Sequence, residues 1–134
     1  MHALRLPHKA IMLAFSLVAV LAVSACTLVD RVGEPRVEVE GGDAMVGRDL
    51  VQQNGCIACH TIPGIAGADA HVGPPLDSWS DRAYIAGREP NEPETLVYFL
   101  MDPKSVDERS AMPVVGLTEE EARDIAAFLY TLDD

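Results

Sequence analysis

Cys56-Ile57-Ala58-Cys59-His60 reads as C-x-x-C-H, the spacing of a c-type haem attachment site. Two thiols so placed can each add across a haem vinyl group and form thioethers. The histidine that follows offers an imidazole nitrogen as proximal iron ligand. Cys56 and Cys59 are therefore expected to hold the haem and His60 to bind its iron. A bare C-x-x-C also serves zinc and dithiol redox sites. Zinc would need a second ligand pair, and the only other cysteine is Cys26. A thioredoxin-like site would want a βαβ context, which the pattern lacks.

Upstream, Arg5 and Lys9 precede an apolar run from Ala10 to Ala25. The run is short for a bilayer-spanning helix and suits a signal-peptide core. It ends Leu21-Ala22-Val23-Ser24-Ala25-Cys26, which looks like the lipobox of bacterial lipoproteins. Residues 1–25 are thus expected as a signal peptide of lipoprotein type, with Cys26 lipidated. Ordinary cleavage after Ala25 and an uncleaved anchor are the alternatives. Each exports the domain, to the periplasmic face of a bacterial membrane or to the soluble periplasm. Haem and lipid together would use all three cysteines, so no disulfide is expected.

The chain has 134 residues and a formal net charge of −11. Loss of Arg5 and Lys9 with the leader would deepen that charge. Such acidity argues against nucleic acid and anionic lipid, and favours partners with a basic docking patch. It equally serves solubility. A domain this small has a thin core, and aromatic residues are only 5%. A bound haem would supply missing apolar surface, so the haem-free chain is expected to fold poorly.

Residues 26–42 read as a flexible acidic tether ending in Gly41-Gly42, and residues 43–134 as the domain. Val37 and Val39 alternate with glutamates, a poor strand signal over so short a stretch. A first helix is expected from N-cap Asp43 to about Asn54, with Met45, Val46, Leu50 and Val51 as its apolar stripe. Gly47 within it would let another helix cross closely. A short helix is expected over Asp77–Ile85, and another from Asn91 or Glu92 with Pro93 at its first position. Thr118 and Glu121 form a capping box for the last helix, striped by Ala122, Ile125, Ala126 and Leu129.

The second axial ligand has several candidates: Met45, Met101, Met112, His71 and Lys104. Met112 stands in Ser110-Ala111-Met112-Pro113, inside a loop, where core filling explains a methionine poorly. Met101 and Met45 fall on expected helices, where packing suffices, and His71 falls in a glycine-rich loop. Histidine–methionine ligation raises the potential and leaves no vacant position, which suits electron transfer. Proline carbonyls in Gly73-Pro74-Pro75-Leu76 could accept the second N–H of His60; a plain rigid turn is the alternative.

Taken together, Asp43 to Leu132 resembles the small monohaem class I cytochrome c family. The resemblance implies an all-α cytochrome c fold, with about four to five short helices around one covalently bound haem c. The first and last helices would cross, Gly47 meeting the last near Phe128 or Tyr130. It implies thioethers at Cys56 and Cys59, axial ligands His60 and Met112, and a Pro74 carbonyl orienting His60. It also implies that Leu76 packs on the haem. Tyr84-Ile85-Ala86-Gly87 through Asn91-Glu92-Pro93-Glu94, then Asp102-Pro103 and Ala111-Met112-Pro113, look like bacterial cytochrome c domains associated with haem–copper oxidases. Arg82 lies where such domains often place a haem-propionate partner. Glu108-Arg109-Ser110 departs from the Pro-Gly turn common in relatives. The implied function is a membrane-tethered one-electron carrier of a respiratory chain rather than an enzyme, with a terminal oxidase or dehydrogenase as partner. A haem-bearing subunit of a dehydrogenase complex is the alternative. A peroxidase, nitrite-reducing or gas-binding protein would need an open iron site.

Overall fold

A computed structural model describes residue 33 and residues 35–133. The signal segment and Cys26 lie outside the described residues. Among the described residues, three α-helices carry the fold: α1, Ala44–Gln53; α2, Pro93–Met101; and α3, Glu119–Leu129. Single 3₁₀ turns stand at Cys56–Ala58, Trp79–Asp81 and Pro103–Ser105. A small antiparallel hairpin pairs β1, Tyr84–Ile85, with β2, Glu89–Pro90. The architecture is mostly helical, with fewer full helices than expected.

Local chemistry sets the helix ends. Asp43 caps α1, accepting from Met45 N at 2.8 Å and Val46 N at 3.3 Å. Asn54 closes it, and Gly55 turns the chain with φ 75°. Pro93 opens α2 after Glu92. At α3, Thr118 Oγ1 accepts from Glu121 N at 3.2 Å, and the Glu121 carboxylate accepts from Thr118 N at 2.8 Å. That reciprocal bonding holds the Glu121 carboxyl below its ordinary value.

The core forms where α1 crosses α3. Gly47, Leu50 and Val51 are the buried residues of α1. Met45 and Val46 are instead 45% exposed, so only Leu50 and Val51 of the expected stripe are buried. Gly47 meets α3 a turn before the expected site. A Cβ on Gly47 would lie 1.9 Å from Asp124 O and 2.9 Å from Ile125 N. Asp124 is buried here, and its Oδ1 accepts from Asp43 N at 2.7 Å.

The last helix is buried well beyond one stripe, from Ala122 through Leu129 apart from Arg123. Packing on α2 and on the chain before α1 accounts for the excess. Residues 35–42 fall within the expected tether, yet they pack on α3. Val39 is buried, Arg36 N donates to Tyr130 O at 3.2 Å, and Gly42 lies against Arg123 and Ala127. Arg36 also pairs with Asp81. Arg123 fastens the arrangement, donating to Glu40 O at 3.2 Å, to Glu94 at 2.7 and 3.0 Å, and to Glu119 at 2.9 Å. Those contacts raise the arginine's pKa and hold the Glu94 carboxyl below its ordinary value. A tether ending at Gly42 is therefore corrected: over its described part, the domain begins earlier.

The helix expected over Asp77–Ile85 is also corrected to a single turn and β1. Ser78 has φ 49°, and Arg82 is extended. Asn91 Nδ2 donates to Trp79 O at 3.1 Å and Arg82 O at 3.0 Å, taking carbonyls that a continuing helix would use. Tyr130 OH donates to Asn91 Oδ1 at 3.0 Å. Burial, with Glu92 adding repulsion, pushes the Tyr130 phenol up to about 12, so it remains a donor at neutral pH.

Candidate haem cavity

All three helices contribute to one cavity of about 510 Å³. Val51 of α1, Leu96, Phe99 and Leu100 of α2, and Ile125 and Leu129 of α3 supply apolar wall. The C-x-x-C-H segment, residues 73–76, the hairpin and Ser110–Pro113 complete it. Cys56, Cys59, His60, Pro74, Leu76, Arg82 and Met112 thus all line a single space.

The end of α1 builds the motif. Gly55 allows the sharp turn, Cys56–Ala58 forms one 3₁₀ turn, and His60 N donates to Cys56 O at 3.0 Å. Burial pushes the Cys56 thiol up. That direction is opposite to the lowered pKa of an activated redox cysteine. Among the described residues, no three His, Cys, Asp or Glu side chains converge to hold a metal ion.

The segment after the motif packs back on it. Gly73 N donates to Cys59 O at 2.7 Å, and Leu76 N to Thr61 O at 2.8 Å. His60 Nδ1 lies 2.7 Å from Pro74 O. The carbonyl accepts if Nδ1 carries the proton, which leaves Nε2 with its lone pair for a metal. A Cβ on Gly73 would sit 2.5 Å from His60 Cε1 and 2.8 Å from Nδ1. The ring is held by Pro74, so it cannot simply swing aside. Gly73→Ala is expected to cost about 1–3 kcal/mol of stability, read as a lower urea midpoint. An unchanged midpoint would mean that residues 73–76 move away freely.

Of the residues that could serve as a second axial ligand, one shares the cavity with His60. Met112 lines the cavity; Met45, Met101, His71 and Lys104 do not. Met101 faces another groove with Thr95, Tyr98, Asp102, Ser105 and Val106. Met45 is exposed on α1, while the side chain of His71 lies 3.5 Å from Thr61 Oγ1.

Sequence reasoning passed over Trp79. It is buried, lines the cavity, and its indole Nε1 has no hydrogen-bond partner. A buried donor without an acceptor is costly, and an acceptor supplied by a bound group would relieve it. Arg82 lies 4.9 Å over the Trp79 ring and donates to Asp77 O at 3.0 Å. Asn91 fixes the backbone of both residues, as described above. The tryptophan was legible only as the chain's single indole; its orientation depends on Asn91 and Tyr130. Apolar walls, an oriented imidazole, a thioether and an orphan N–H together fit a haem bearing propionates.

Comparison with known proteins agrees with the geometry. The family model described as Cytochrome c matches residues 44–133. Cytochrome c oxidase subunit 2 of Alkalihalophilus pseudofirmus is 32% identical over 87 residues, covering 64% of this chain. The match spans 25% of that relative.

Proposed function

Because the chain belongs to the cytochrome c family, whose cofactor is covalently attached haem c, we propose that it is a one-electron carrier of a respiratory chain. The haem, when bound, supplies a ferric–ferrous couple. Cys56 and Cys59 would anchor it and His60 and Met112 would bind its iron, with the Pro74 carbonyl holding the tautomer and orientation of His60. Trp79 Nε1 and Arg82 would offer donors to the haem propionates, while Leu76 and the helical wall would exclude water. With both His60 and Met112 as ligands the iron would have no open position, so the chain would carry electrons rather than act on a substrate. The observation that carries this reading is the convergence of Cys56, Cys59, His60 and Met112 on one apolar cavity.

Val72, Tyr84 and Val114 are 82%, 59% and 61% exposed, and Val72 and Tyr84 line the cavity. This apolar rim is the face through which electrons would pass. The chain's net charge of −11 would steer it toward basic partners. The oxidase-subunit relative supports a terminal oxidase as acceptor. Residues 1–25 and Cys26 would export and lipid-anchor the domain at the periplasmic face. No helix among the described residues is long and apolar enough to cross a membrane.

Intact mass spectrometry of the protein from a cell competent for cytochrome maturation tests this. The expected mass is that of the processed chain plus one haem, with acyl groups at Cys26. A colourless product at apoprotein mass would overturn the reading.

A further inference from the structure

The loop that carries Met112 is weakly tied. Among the described residues, no backbone–backbone hydrogen bond engages residues 111–117. Its order is relayed from Asp107. Asp107 N donates to Pro103 O at 3.1 Å, and Ser110 N to Asp107 O at 2.8 Å. Arg109 N donates to Asp107 Oδ1 at 3.2 Å. Met112 N then donates to Ser110 Oγ at 3.2 Å. The turn at Asp107 therefore sets the place of Ser110, and Ser110 sets the backbone of Met112.

The Asp107 carboxylate also reaches outside its own loop. Its side chain is 18% exposed, with Arg88 NH2 at 3.5 Å and Arg109 Nε at 3.7 Å. Arg109 belongs to the same turn. Arg88 belongs to the hairpin, just after the tight reversal at Ala86 and Gly87, whose φ values are 50° and 66°. Arg88 N donates to Ile85 O at 2.9 Å, so the reversal is closed and places the arginine firmly. Ala86 and Gly87 line the cavity, as do Ser110 to Pro113. The Arg88–Asp107 pair therefore joins two separate segments of the cavity rim.

We propose that the Arg88–Asp107 ion pair clasps the methionine loop to the hairpin, making Arg88 and Asp107 positioning residues for the Met112 thioether. The proposal rests on the reading of Met112 as axial ligand. A loop held mainly at its ends swings as a unit, and an incoming ligand can reach the iron only when the sulfur leaves. A charge pair across the rim opposes that swing. It does so less at high ionic strength, because the pair is partly exposed.

The test is displacement of the sulfur by imidazole in the ferric holoprotein, followed as loss of the far-red sulfur–iron charge-transfer band. Arg88→Gln is expected to speed displacement about two- to fivefold at low salt, the range of a partly exposed ion pair. Asp107→Asn, which keeps an acceptor for Arg109 N, should do the same, and Arg88→Lys should restore most of the wild-type rate. High salt should bring wild type toward the variants. Arg109→Gln removes the same charge without touching the hairpin and should leave the rate unchanged. Equal acceleration in Arg88→Gln and Arg109→Gln, or none in Arg88→Gln, would overturn the clasp while Met112 ligation stands. A wild-type ferric protein lacking the band would bring down both readings.

Discussion

Met112→Ala lowers the reduction potential of the holoprotein, by on the order of 0.1 V or more on the scale over which axial ligands tune haem, and abolishes the far-red sulfur–iron band. A thioether is a soft ligand that stabilises ferrous iron. Its loss leaves water or an adventitious ligand, both of which favour the ferric state. Met112 is half-buried, lines the cavity, and is followed by Pro113 in a segment short of backbone hydrogen bonds. Met101→Ala is the matched comparison, since Met101 lines a different groove. It should leave the potential nearly unchanged. A potential unmoved by Met112→Ala, or lowered equally by Met101→Ala, would place the ligand elsewhere.

The second large effect is on stability. In an ordinary helix, Gly→Ala stabilises by about 1 kcal/mol through propensity. At Gly47 the sign should reverse. The new Cβ would lie 1.9 Å from Asp124 O and 2.4 Å from Asp124 C, both backbone atoms of α3. Backbone inside a packed helix cannot rotate away as a side-chain tip can, so the two helices must separate. Separation exposes the core that Leu50 and Val51 of α1 share with Ile125 and Ala126 of α3. It also loosens the bond from Asp43 N to Asp124, 2.7 Å long here. Gly47→Ala is expected to cost about 3 kcal/mol, a large share of the roughly 5–15 kcal/mol typical of a folded domain. Gly47→Val should fail to give folded holoprotein. Guanidinium unfolding, followed by helix content, measures the first. A loss no greater than that of removing the Asp43 cap, about 1 kcal/mol, would mean that the crossing relaxes.

Both arguments join a residue visible in the sequence to a partner that was not. Gly47 stood out as a small residue within an amphipathic helix, but Phe128 or Tyr130 was its expected neighbour, and Asp124 and Ile125 are the neighbours found. Helical periodicity assigns a face without the depth at which two helices cross. Val37 and Val39 looked like a weak alternation in a tether. Val39 is buried because the stretch of chain around it is held to the last helix and its end, through Arg36 N on Tyr130 O and Gly42 against Ala127. The helix expected at Asp77–Ile85 yields to hydrogen bonds from Asn91, a competitor that lies outside that segment.

What the amino-acid order determined by itself is what depends on atoms a few residues apart. The thiol–thiol–imidazole spacing of Cys56, Cys59 and His60, the Asp43 and Thr118 caps and the Pro93 start belong here, because each partner lies within about one turn of chain. Only the tertiary structure could bring Met112 into one cavity with His60 while leaving Met45 and Met101 outside it, bury the Trp79 indole beside that cavity, and bring Arg88 to Asp107. Those pairings span long stretches of chain, and which of many possible contacts forms is settled by the packing of α1 on α3, a collective property that no short window of residues contains.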